Sequence, residues 1–108
     1  VSAASLTGAG HGQFRVTGDL DFASVGALVG EGKRLFAAHP AVRIDLGGVG
    51  QANSAGLALL LEWIDQAKRR NGRLELVNLP ESLTRIATIT NLAGLLPLGA
   101  DQASQPQP

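Results

Sequence analysis

Cysteine, methionine and tyrosine are absent from these 108 residues, and aromatic residues make up 4% of them. Without cysteine there can be no disulfide, no thiolate metal site and no cysteine nucleophile. Excess charge is missing as well. Nine basic and nine acidic side chains cancel, so net charge carries no electrostatic footprint of a nucleic-acid or anionic-membrane partner, and no nucleic acid is expected. Long apolar runs are lacking too. The longest, Leu57 to Leu61, falls far short of the ~20 residues that span a bilayer. Val1 to Leu6 does not pair a basic region with an apolar one, so no signal peptide is expected. A cytoplasmic domain is the default expectation.

What is present is a hydrophobic share of 44% in a length that suits one domain with one core. Leu6 begins a weak apolar run and Phe14-Arg15-Val16 alternates, with Gly8-Ala9-Gly10-His11-Gly12 between them; this predicts a β-hairpin. Asp21 is placed to cap a helix carrying Val25, Leu28, Val29, Leu35 and Phe36 at helical spacing. Gly26, Gly30 and Gly32 weaken that helix unless they allow close packing. Pro40 ends it. Val42 to Leu46 reads as a buried strand and Gly47-Gly48-Val49-Gly50 as a loop. A second helix is predicted over Ser54 to Arg70, with a left-handed exit at Asn71-Gly72. A strand follows at Leu74 to Val77, then a third helix opened by Pro80, with Leu83, Ile86 and Ala87 inward. Leu95-Leu96-Pro97-Leu98 reads as a last short strand or a packed tail. The alternation of strands and helices implies an α/β fold: a small, mixed, mostly parallel sheet with helices against it. The boundaries are a single domain over 1–98 and a disordered tail over 99–108, where Gln, Pro and Ser prevail.

The second helix is unusually apolar. Leu57, Leu60, Leu61 and Ile64 form its core stripe, and Ala55, Leu59 and Trp63 lie on the opposite side among Glu62, Gln66 and Arg70. Two readings of that second face stand side by side. The first helix lies over Leu59 and Trp63, or they form a protein-binding patch at the helix start together with Ser54 and Ala55. On the patch reading, Trp63→Ala weakens binding and leaves the domain folded. Ser54 or Asn53 is the helix cap. The Ser54 hydroxyl is also a candidate regulatory site, because a phosphate there would meet free N–H groups.

The signatures of catalysis are not found. Gly48-Val49-Gly50-Gln51-Ala52-Asn53 has Asn where the dinucleotide fingerprint needs its third glycine, and no glycine is followed by Lys-Ser or Lys-Thr. His11 and His39 are isolated, so neither metal nor cofactor is expected. Ser54 has no evident base nearby in sequence. An enzyme is the weakest class.

The segment Asn53-Ser54-Ala55-Gly56, with Ile44-Asp45-Leu46 and Gly18-Asp19-Leu20-Asp21 before it, resembles the STAS family over roughly Phe14 to Leu98. That family includes anti-sigma factor antagonists, which commonly carry Asp-Ser-Ser-Gly or Asp-Ser-Thr-Gly at this helix start. Their usual phosphorylated position falls on Ala55, which cannot accept phosphate. The run Gly56-Leu57-Ala58-Leu59-Leu60-Leu61, then Ile64-Asp65 and Ala67-Lys68, is more similar to a narrower branch. That branch is the STAS subunit of the Mla phospholipid transporter of Gram-negative bacteria. The resemblance implies a non-catalytic subunit that binds the ATPase subunit of an ABC transporter, within a complex with permease and substrate-binding subunits. It would sit in the cytoplasm, peripheral at the inner membrane through that partner. It implies Ser54 at the partner-facing helix start. The alternative it leaves open is an anti-sigma factor antagonist regulated by serine phosphorylation.

Overall fold

Polar–apolar alternation in the strands sorts the fold into an inner and an outer sheet face. The computed structural model describes residues 4–97; the expected tail over 99–108, and Leu98 with it, lies outside them. Strands β1 (Ser5–Gly10) and β2 (Gln13–Leu20) form the expected hairpin, turning at His11-Gly12. Gly12 has a φ of 67°, and a Cβ on it would stand 2.5 Å from the Ala41 carbonyl oxygen. Helix α1 (Val25–Ala38), strand β3 (Ala41–Ala52), helix α2 (Ser54–Arg69), strand β4 (Arg73–Val77) and helix α3 (Glu81–Ile89) follow. The sheet order is β1-β2-β3-β4, antiparallel in the first pair and parallel in the other two.

Val16, Leu20, Val42, Ile44, Leu46 and Leu76 point to one face and join Leu28, Phe36, Leu57, Leu60 and Leu83 of the helices in one core. The opposite face carries charge. Arg43 pairs with Glu75 at 3.2 Å, and Arg15 lies 3.7 Å from Asp45. Asp45 also accepts hydrogen bonds from the Gly47 N–H at 2.8 Å and from Asn78 at 3.0 Å. Partial burial acts to raise the Asp45 pKa. The hydrogen bonds from Asn78 and Gly47, with the charges of Arg15 and Arg43, outweigh it and hold the carboxyl below its ordinary value of 3.8. A folded-state value below the unfolded one stabilises the fold above the ordinary value, and that contribution is lost as pH falls through the folded value. Asp45→Asn is therefore expected to destabilise the domain most at neutral pH. The gap to wild type should narrow on acidification, as read by urea unfolding at a series of pH values.

Four elements depart from the expected reading. Strand β1 runs on through Gly8-Ala9-Gly10, which the glycines marked as part of the turn, and only His11 and Gly12 make the turn itself. Strand β3 runs on through Gly47-Gly48-Val49-Gly50, which the glycines marked as a loop. Arg15 pairs with Asp45 but Thr17 with Gly48, and Gly18 pairs with Val49 but Leu20 with Ala52. At each shift β3 takes up one residue more than β2, which makes two bulges. The first restores Val49 to the inner face, where it joins the core. Asp21 caps a turn rather than the helix itself. Its Oδ1 accepts from the N–H groups of Ala23 and Ser24, both at 3.0 Å, and α1 begins at Val25. Pro80 sits at the cap position of α3, one residue before the place expected. Asn71 supplies the left-handed exit from α2, with a φ of 54°, and the Gly72 N–H returns to the Ala67 carbonyl at 2.9 Å. The last segment is a packed tail, not a strand. It makes a short 3-10 turn at Ala93–Leu95, buries Leu96 and gives the Pro97 carbonyl to the Leu76 N–H at 2.8 Å.

Candidate partner-binding site

The start of α2 stands at the end of the sheet where the parallel strands finish. Asn53 is its cap: the side-chain oxygen accepts the Ala55 N–H at 2.8 Å. This frees Ser54 from capping. Ser54 is the first helical residue and is exposed, and its hydroxyl makes no hydrogen bond among the described residues. The Asn53 N–H donates to the Leu20 carbonyl at 3.2 Å, so the loops after β2 and β3 leave the sheet side by side. Gly56 sits where no side chain fits easily. A Cβ there would lie 3.1 Å from the Leu20 Cβ and 3.2 Å from the Leu83 Cδ2. The helix start is thereby seated between β2 and α3.

The other expected contact residues are corrected by the structure. Ala55, Leu59 and Trp63 are 2%, 1% and 0% exposed, so they offer no surface to a partner. Helix α1 covers Trp63, the alternative that the sequence left open, and Leu59 is sealed in the same core. The close approach of α1 to α2 is made at Gly32, where an added Cβ would be 2.3 Å from Trp63 Nε1. With no side chain in the way, the indole N–H reaches the Leu28 carbonyl at 3.0 Å. Beside it, Gln66 donates to the Val29 carbonyl at 3.3 Å, while its Oε1 is buried without a partner among the described residues. Trp63 is thus a core residue with its one polar atom satisfied, as a buried Trp requires. Of the four candidates, Ser54 alone remains at the surface.

One surface residue near Ser54 escaped the sequence reading. Phe22, in the loop after β2, is 76% exposed. A large apolar residue immediately after the turn-forming Asp21 was the available signal, since turn residues are placed outside the core. Among the described residues, no group of three or more His, Cys, Asp or Glu is gathered as a metal site, and no helix is long and apolar enough to cross a membrane.

A four-stranded mixed sheet with helices on one face is the architecture of anti-sigma factor antagonists. One from Mycobacterium paratuberculosis is 24% identical, with a TM-score of 0.73 over 95% of this chain and 91% of its own. SpoIIAA in its unphosphorylated form gives 15% identity and 0.69, over 94% and 92%. The Bacillus cell fate determinant SpoIIAA in the phosphorylated form gives 15% and 0.66, over 94% and 96%. These likenesses are of fold. No curated protein sequence matches the chain. The family model described as "Mlab, STAS domain" matches residues 5–97, and the chain belongs to the STAS domain family.

Proposed function

We propose that this chain is a non-catalytic STAS subunit that binds the ATPase subunit of a phospholipid ABC transporter. In this reading it supports the assembly and activity of that transporter, which maintains outer-membrane lipid asymmetry. It lies in the cytoplasm, peripheral at the inner membrane through its partner. The observation that carries the proposal is the match of an Mla-type STAS model across the described fold. The exposed, unbonded hydroxyl of Ser54 agrees with it, because a polar group at a helix start can meet a partner without rearrangement of the domain.

Ser54→Arg tests the contact. The change adds bulk and charge at an exposed position, so the fold should be unaffected, with a superimposable circular dichroism melt. Titration against the ATPase subunit of the Mla-type transporter from the same cell should show affinity weakened about tenfold or more, equivalent to ~1.4 kcal/mol. Unchanged affinity would remove Ser54 from the interface.

The anti-sigma reading is tested by incubation with a serine kinase. Ser54 is the hydroxyl available there, since Ala55 has none and is buried. Phosphate on Ser54 together with loss of an anti-sigma partner would favour that reading over the transporter.

A further inference from the structure

We infer that Phe22 is an aromatic anchor of the surface that Ser54 presents, and that it enters an apolar socket on the partner rimmed by cationic side chains. The inference rests on the proposed docking of the Ser54 end and goes on to state the chemistry of the surface that receives it.

The chain has one Trp and three Phe. Trp63 and Phe36 are buried, and Phe14 packs against the core. Phe22 alone of the four is turned outward, at 76% exposure. The turn holds it there. Asp21 Oδ1 takes two N–H groups beyond Phe22, and the Ser24 hydroxyl donates back to the Asp19 carbonyl at 2.8 Å while receiving the Asp21 N–H at 3.0 Å. An aromatic ring on a backbone already fixed loses little entropy on docking. The Asn53–Leu20 hydrogen bond places this loop beside the Ser54 tip.

Charge defines the partner. At this end of the sheet the chain runs through residues 18–23, 51–55 and 78–82. These stretches contain Asp19, Asp21 and Glu81 and no Lys or Arg; Glu81 is paired with Arg85 at 3.0 Å, which leaves Asp19 and Asp21 as the acidic pair of this end. Lys68, Arg69, Arg70 and Arg73 are at the opposite end, after α2 has run back along the sheet. The net charge of zero therefore hides an acidic docking end and a basic far end. A second copy of the chain is a poor occupant, because Asp19 and Asp21 would meet their like. A cationic rim complements them and steers the encounter.

Three variants are titrated against the ATPase subunit named above, at low and at physiological salt. Phe22→Ala is expected to weaken binding by about tenfold or more, from loss of a fully buried ring, with an unchanged melting curve. Asp19→Asn combined with Asp21→Asn keeps the side-chain acceptors for the Gln51, Ala23 and Ser24 N–H groups and removes two charges; it should slow association several-fold and flatten its dependence on salt. Ser54→Arg is the control for the docking itself. If Ser54→Arg disrupts binding and Phe22→Ala does not, the anchor is overturned while the proposed function stands. Association that is indifferent to salt and to the double variant overturns the cationic rim. If the wild-type chain does not bind the ATPase subunit, both fall. Concentration-dependent dimerisation of the chain, abolished by Phe22→Ala, would assign Phe22 to self-association and overturn the proposal.

Discussion

Trp63→Ala should lower the unfolding free energy by about 3–5 kcal/mol, the range for deleting a fully buried large aromatic. In a domain of this size that corresponds to a fall in Tm of roughly 12 °C or more. The ring is 0% exposed and lies between α1 and α2, so its removal leaves a cavity bounded by two helices, each held against the sheet. The indole N–H bond to the Leu28 carbonyl is lost with it. Trp63→Phe, which keeps most of the ring volume, should recover much of the loss. Thermal and urea unfolding followed by circular dichroism measure both. A Trp63→Ala variant with wild-type stability would contradict this packing of Trp63 between α1 and α2. Any loss of partner binding in that variant is expected to follow its unfolding, not the removal of a contact.

Gly32→Ala and Gly30→Ala are expected to act in opposite directions, although both place the better helix former in α1. At Gly30 an added Cβ meets nothing within 4 Å, so the gain in helix propensity stands, at about 0.5–1 kcal/mol. At Gly32 the same methyl would lie 2.3 Å and 2.4 Å from Trp63 Nε1 and Cδ1 and 2.7 Å from Gln66 Oε1. Neither side chain can swing out, because both are buried. Helix α1 must lift from α2, and the Trp63–Leu28 hydrogen bond stretches. Overpacking of this kind costs about 1–3 kcal/mol, which outweighs the propensity gain. A Gly32→Ala domain as stable as the wild type would mean that the interface yields without loss.

Much of the fold could be read from local pattern. The spacing of Leu28 and Phe36 announced α1, Asn71-Gly72 ended α2 as expected, and the apolar positions of β2 and β3 alternate as their burial does. The reading failed where a residue's role depends on a distant segment. Gly48 lies in a strand, and its lack of a side chain answers to Thr17 Cγ2, which a Cβ would approach at 2.6 Å. Glycine composition suggests a loop because the neighbour that requires glycine is out of sight on β2. The candidate site shows the same division. Its hydroxyl at Ser54 and the absence of a hydroxyl at Ala55 were legible, while the choice of Asn53 over Ser54 as the cap was made only by the structure. The fate of Leu59 and Trp63 was not.

The sequence by itself determined the order of the elements, the hydroxyl chemistry at the start of α2 and the STAS resemblance, since each is a matter of residue type and short-range spacing. Only the tertiary structure decided which apolar face is covered. Trp63 meets Leu28 from 35 positions along the chain, and helical periodicity counts the greasy side chains on one cylinder without saying which second cylinder lies against them. That contact buries Trp63 and leaves the exposed end of the molecule to Ser54 and Phe22.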